Sequence, residues 1–288
     1  MLVRLFQLLS HLPLRLLHAI GALLGWVVFL ASPAYRRRLS QHVARAGYAA
    51  LRNATVAEAG KGIMELAFVW CAPPARVLRC AQVENWALAQ AALDSGRGVI
   101  FLTPHLGCFE IIAQTIAERV PLTALYRPSR QSALQPLIEG ARARRNLLLA
   151  PASLGGVRTL LKALRRGGAI GLLPDQVPQH GEGVWAPFFG RRAYTMTLPA
   201  KLQQMTGAIL MLSYAERLPH GAGFVVRFVP CPVLDAASPQ QQAATLNAAM
   251  EALIDHCPAQ YLWSYNRYKT PAGVVPPAAD SAATDVPA

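Results

Sequence analysis

The sequence predicts an α/β domain behind an N-terminal apolar helix, and three observations predict it. Short apolar runs recur at residues 99–102, 122–126, 146–149 and 169–173, each the length of a buried strand. Between them lie segments of helical periodicity, around Ile111, Gln135 and Leu160, and strands alternating with helices in this way build a sheet layered with helices. Ahead of them all, Leu12 to Ala31 is broken only by Arg15, His18 and small residues, close to the roughly 20 residues that span a bilayer.

That first stretch is read as an uncleaved membrane anchor, with an interfacial helix and a cleaved signal peptide as the alternatives. Ala31-Ser32-Pro33-Ala34 is only a weak cleavage site. Tyr35-Arg36-Arg37-Arg38 follows at once, and cationic flanks of an apolar helix stay cytoplasmic, which puts the bulk of the chain on that side. Residues 36 to 70 read as helical, and Arg36, Arg37, Arg38, Arg45 and Arg52 give them a basic surface, either solvated or lying against anionic head groups. Ala72-Pro73-Pro74 breaks this region, and a helix from Trp86 to Leu93 is stopped by Asp94-Ser95-Gly96.

After the four strand-like runs comes a long irregular stretch, Pro174 to Arg192, rich in Gly and Pro and carrying Trp185, Phe188 and Phe189; loops of that length are usually functional. Residues 208–214 and 224–229 read as further strands and 240–257 as a helix. The tail from Pro271, almost all Ala, Pro, Val and Asp, reads as disordered. The expected organisation is an anchor over residues 1–34, a single catalytic domain over 35–270 and a tail over 271–288.

Charged residues make up only 15% of the 288, against 53% hydrophobic, which suits a protein that meets lipid. Lys and Arg outnumber Asp and Glu by 28 to 15, and the net +13 suits anionic partners. Five cysteines without a C-x-x-C pair suggest neither a zinc site nor a disulfide framework.

The candidate chemistry centres on Thr103 to Glu110, where a strand hands over to a helix. Five residues apart on one helix, His105 and Glu110 would point about 140° apart. With His105 in the turn and Gly107 relaxing the backbone, Glu110 in the first helical turn can point back at the imidazole, making a base and its orienter. The plainer alternative is a capping histidine, with Glu110 favouring the positive end of the helix. Cys108 as a nucleophile is a weaker reading, because its apolar neighbours suit a buried thiol.

Between Arg127 and Arg166 nine basic residues, Arg142, Arg144, Arg145 and Arg158 among them, face one acid, Glu139. Guanidinium groups bind phosphate in bidentate fashion, and the near absence of interleaved aromatics argues against nucleic acid. In Leu172-Leu173-Pro174-Asp175-Gln176 an acid follows an apolar strand at its carboxyl end, the edge where α/β sheets place their sites; a turn-forming aspartate is the alternative.

Five blocks in order carry a resemblance: His105-x-x-x-x-Glu110, Tyr126-Arg127-Pro128, Leu173-Pro174-Asp175-Gln176, Pro187-Phe188-Phe189-Gly190, and Pro258 to Trp263 with Arg267. Together they resemble the late acyltransferases of lipid A biosynthesis, the lauroyl and myristoyl transferases within the glycerolipid acyltransferase-like group. The resemblance implies a central mixed sheet flanked by helices, and transfer of a fatty acyl chain, usually from acyl carrier protein, to a hydroxyl of a lipid A precursor. That reaction takes place at the cytoplasmic face of the inner membrane.

It also implies His105 as general base and Glu110 as orienter, and Arg127, Arg142, Arg144, Arg145, Arg158, Asp175 and Gln176 are the expected substrate-binding residues. Acyl carrier protein, anionic lipid and the lipid A precursor are the implied partners. No metal or redox cofactor is required, since an acyl thioester, on acyl carrier protein or coenzyme A, serves as co-substrate. The sequence departs from the pattern at Gly107-Cys108-Phe109, where relatives carry Gly-Asn-Trp, and at Tyr265-Asn266-Arg267-Tyr268, where they carry a His-Arg-Arg-Phe type ending. The catalytic pair survives both departures, which leave room only for another acceptor, an ornithine-type lipid or a glycolipid. A silent protein that merely binds anionic lipid through its basic surface is a separate alternative, against which the intact His105 and Glu110 argue.

Overall fold

A computed structural model describes residues 2–126, 140 and 146–277. The chain starts with helix α1 (Leu2–Leu9), α2 (Leu14–Ala31), α3 (Pro33–Arg45), α4 (Arg52–Cys71) and α5 (Pro74–Arg79). The stretch from 36 to 70 is thus two helices, because Gly47, in the left-handed region at φ +86°, ends the first. Strand β1 (Ala81–Glu84), α6 (Trp86–Asp94), β2 (Val99–Leu102), α7 (Phe109–Ala117) and β3 (Leu122–Tyr126) follow. Next come β4 (Leu147–Pro151), α8 (Leu154–Arg165) and β5 (Ala169–Leu172). The helix expected around Gln135 lies outside the described residues.

Strands β6 (Gly183–Phe188) and β7 (Arg191–Met196) pair antiparallel, so the stretch read as irregular ends in a hairpin. Its alternation was masked by Gly and Pro, and only the partner strand decides the pairing of such a segment. Helix α9 (Leu198–Thr206), β8 (Ile209–Arg217), β9 (Phe224–Pro230) and α10 (Pro239–Ile254) complete the order.

Seven strands form one sheet in the order β1-β9-β8-β2-β5-β3-β4. All neighbours are parallel except β8 with β9, so the sheet is mixed, with helices over it. Strand β2 is central and wholly buried, which explains its unbroken apolar run. Because β2 and β5 pair in register with Leu102 opposite Leu172, the residues just past each strand emerge side by side at the carboxyl edge of the sheet.

Helix α2 is packed along α4. Gly21 and Gly25 on α2 face Gly60 on α4 so closely that a Cβ on Gly60 would collide with the Gly21 carbonyl oxygen. Small residues spaced by four allow two helix backbones to meet in this way. A polar network reinforces the contact. His18 of α2 lies 3.3 Å from Glu65 of α4, and Arg217 at the end of β8 binds Glu65 through two nitrogens at 2.7 and 2.6 Å and Glu58 at 2.5 Å. Burial alone would push Glu65 up, yet the Arg217 charge holds it down to about 2. The opposite face of α2 shows Leu23, Leu24, Val27, Val28 and Leu30 to the outside.

Candidate active site

His105 and Asp175 are brought together by the register just described. Each stands three residues beyond its strand and directly after a proline: Leu102-Thr103-Pro104-His105 leaves β2, and Leu172-Leu173-Pro174-Asp175 leaves β5. The Thr103 N–H donates to the Leu172 carbonyl at 2.9 Å and keeps the two exits aligned. His105 Nδ1 lies 2.9 Å from Asp175 Oδ1, and the backbone N–H of His105 donates to Asp175 Oδ2, also at 2.9 Å. Since Asp175 is buried and ionised it can only accept, so Nδ1 carries the hydrogen and Nε2 keeps a lone pair.

Burial opposes a charge on His105, but the Asp175 carboxylate, assisted by Glu110, outweighs it and raises the imidazole above its ordinary value. Burial would raise Asp175 in turn, whereas the charge and hydrogen bonds of His105 and the charge of Arg267 bring it below the usual carboxylate range. The Tyr261 hydroxyl, pushed well up by burial and by this carboxylate, sits against the pair.

Both carboxylates act on His105, in different ways. The side chain hydrogen-bonded to Nδ1 belongs to Asp175, and Glu110, in the first turn of α7, receives the Trp70 indole N–H at 3.1 Å and acts on His105 through its charge. The reason is topological. Asp175 is 70 positions away in sequence but one strand away in the sheet. Asp175, expected among the substrate-binding residues, is hydrogen-bonded to the histidine.

Gly107 makes the turn possible. It sits at φ +62°, and a Cβ there would strike the Ala215 carbonyl oxygen. The Gln260-Tyr261-Leu262 block clamps the same turn: Gly107 N–H donates to the Gln260 carbonyl at 3.0 Å, and Leu262 N–H to the His105 carbonyl at 3.0 Å. The Gln260 side chain bridges the Arg217 backbone, accepting from its N–H at 2.7 Å and donating to its carbonyl at 3.0 Å. Cys108 is buried, and burial, with Glu65 nearby, pushes its thiol well above the ordinary value, which keeps it protonated and unreactive.

Two cavities meet at Phe109 and Glu110. The larger, about 480 Å³, runs between α7 and strands β3, β4 and β5 and is lined by Phe101, Ile112, Leu122, Ala124, Leu149 and Gly171. Its polar groups include Thr103, Glu110 and Gln176. A smaller cleft of about 100 Å³ reaches His105 from the α4 side, past Glu58 and Arg217. Of the remaining expected site residues, Arg158 is exposed on α8, while Arg127, Arg142, Arg144 and Arg145 lie outside the described residues. Among the described residues no three His, Cys, Asp or Glu side chains converge to hold a metal ion.

A histidine–carboxylate pair beside a deep apolar cavity suits transfer chemistry on a lipid chain, and comparison with known proteins agrees. The pattern of the bacterial lipid A biosynthesis acyltransferases matches residues 2–270. The chain belongs to this family. The acyltransferase is 29% identical over 220 residues to the lipid A biosynthesis lauroyltransferase of Escherichia coli (strain K12), covering 75% of this chain and 71% of that one. It is 27% identical over 212 residues to the lipid A biosynthesis palmitoleoyltransferase of the same organism, covering 73% and 69%.

The sequence reading missed Trp70, Arg217 and Tyr261 as parts of this site. The repeated spacing strand-x-Pro-His and strand-x-Pro-Asp was the signal that could have joined His105 to Asp175.

Proposed function

We propose that the acyltransferase moves a fatty acyl chain from an acyl thioester, carried on acyl carrier protein, to a hydroxyl of a lipid A precursor, with His105 as general base. The observation that carries this reading is the Nδ1 hydrogen bond to buried Asp175, which leaves Nε2 able to take a proton beside an apolar cavity.

The hydroxyl oxygen attacks the thioester carbonyl carbon as its proton passes to Nε2. Asp175 steadies the resulting imidazolium, and Glu110 adds its charge. Collapse of the tetrahedral adduct breaks the carbon–sulfur bond, and the departing thiolate takes the proton back from Nε2. The developing oxyanion draws on cationic or N–H donors; no side chain caps the start of α7, and Arg127 is the cationic candidate. No acyl-enzyme is required, in keeping with the inert Cys108. The large cavity takes the acyl chain: its size and lining fall in the ordinary range for apolar ligand pockets. Arg142, Arg144, Arg145 and Arg158 serve acidic carrier protein and substrate phosphates, and Gln176, in the lining of the large cavity, serves the acyl thioester.

The exposed apolar face of α2 lies in the membrane, with the arginines that begin α3 at head-group level on the cytoplasmic side. Purified enzyme in mixed vesicles, given labelled acyl carrier protein and a lipid A precursor, should transfer label to the precursor, and His105→Ala should abolish transfer. Transfer to an ornithine-type lipid or a glycolipid alone would overturn the acceptor, and full activity in His105→Ala would overturn the base.

A further inference from the structure

Away from the catalytic turn, positive charge gathers at one place with no carboxylate paired to it among the described residues. Helix α3 presents Arg38, His42 and Arg45 on one face, because residues three and four apart stack along a helix. That face packs on the 261–268 segment. His42 Nδ1 lies 2.8 Å from the Trp263 carbonyl, and its ring stands edge-on to Tyr268 with centroids 5.1 Å apart. Arg38 reaches the Ser264 carbonyl at 3.5 Å.

From the hairpin, Arg191 at the start of β7 brings its guanidinium carbon within 5.2 Å of the Tyr268 ring centre, and Arg45 lies at 5.8 Å from the same point. Two exposed guanidinium groups share one buried ring, and among the described residues neither is paired with a carboxylate. Glu251, whose charge reaches Tyr268, is occupied by the Phe189 N–H at 2.8 Å. Arg217 and Arg227, by contrast, each hold two carboxylates.

Stacking uses the face of a guanidinium and leaves its N–H edge free to make paired hydrogen bonds with an oxyanion. Gathering like charges around one ring is unfavourable until an anion joins them. The cluster also stands in a telling place. Helix α3 starts two residues after α2 ends, so the arginines begin where the exposed apolar face formed by Leu23, Val27 and Leu30 stops, the level of lipid head groups. The 261–268 segment runs on to the catalytic turn, where the Tyr265 ring stacks on His105 at 6.2 Å.

We propose that Arg38, Arg45 and Arg191, set around Tyr268, form a binding site for a phosphate group carried on a lipid. This rests on the reading that the enzyme works on phosphorylated lipid, but its test needs no turnover, so loss of activity and loss of binding are separate results. Binding of the full-length enzyme is measured to vesicles of phosphatidylcholine with and without phosphatidylglycerol, and to glucosamine 1-phosphate in solution. Arg45→Gln with Arg191→Gln should weaken the anionic-vesicle or sugar-phosphate binding at least about tenfold, the loss expected of charge-assisted hydrogen bonds, while leaving binding to pure phosphatidylcholine unchanged. Arg36→Gln with Arg37→Gln removes the same charge outside the cluster and should have a smaller effect. The double lysine variant, which keeps charge without the planar fork, should fall between.

A loss confined to vesicles assigns the site to head groups, and a loss with glucosamine 1-phosphate assigns it to a phosphate of the acceptor. Wild-type binding of both probes by the glutamine pair, or an equal loss in the Arg36 and Arg37 control, overturns the proposal.

Discussion

Asp175→Asn is the most informative single change. It preserves shape but removes the charge that the 2.9 Å contact delivers to Nδ1, and a carboxamide can present an N–H there. Nδ1 would then accept, the hydrogen would move to Nε2, and the nitrogen facing substrate could no longer take a proton. In the serine protease triad the equivalent change of tautomer lowers turnover by about 10⁴. Loss of a buried charge-assisted bond is worth about 1.5–3 kcal/mol, which accounts for a good part of that. We therefore expect turnover to fall by about 10³ to 10⁴ with little change in donor KM.

The pH dependence carries a second signature of the same substitution. Burial opposes protonation of His105 and Asp175 overrides it, so without Asp175 the imidazole falls, and the acid limb of kcat/KM moves to lower pH. Stability shifts as well. His105 is raised by folding, so its contribution is fully present below the unfolded value of about 6.5 and is lost as pH rises through the folded one. Asp175 is depressed, so its contribution is present above about 3.9 and is lost as pH falls through the folded value. The gap in unfolding free energy between wild type and Asp175→Asn should be widest between those limits, as read by urea titration. Turnover within about tenfold of wild type, with an unmoved acid limb, would refute the reasoning.

Three further perturbations probe separate parts of the molecule. Glu110→Ala should lower turnover about 10- to 100-fold, less than Asp175→Asn, because Glu110 is half-buried and acts through its charge; an effect on donor KM alone would contradict that role. Gly171→Ala should shift donor preference to shorter chains at about 0.8 kcal/mol per methylene excluded, since Gly171 lines the cavity and an added Cβ would meet Leu122 and Ala124 only in ordinary contact at 3.8 and 3.9 Å; competition between labelled donors reads it. Arg217→Met should destabilise by about 3–5 kcal/mol by stranding buried Glu65, and adding Glu65→Leu should restore much of it in denaturant titrations.

Among the described residues six of the nine strands and most of the helices were legible, because their apolar runs and breakers are local. Strand β1 escaped notice because Ala81-Gln82-Val83-Glu84 is short and half polar, and the hairpin because glycines and prolines hide its alternation. His105 was legible too, standing where an apolar run meets a helix. Asp175 was visible as an acid at a strand end and within a family block, but its partner was not, since nothing along the chain says which strands are neighbours.

By itself, then, the sequence determined the α/β class, the family through its blocks, and the histidine at the strand-to-helix turn. Tertiary structure alone decided which carboxylate holds that histidine. Sheet order places β5 beside β2, and a 2.9 Å hydrogen bond in a buried site outweighs the closer sequence neighbour, Glu110. It also decided that α2 is packed on α4 by three glycines as well as showing an apolar face outward, because close approach of two backbones depends on both helices at once.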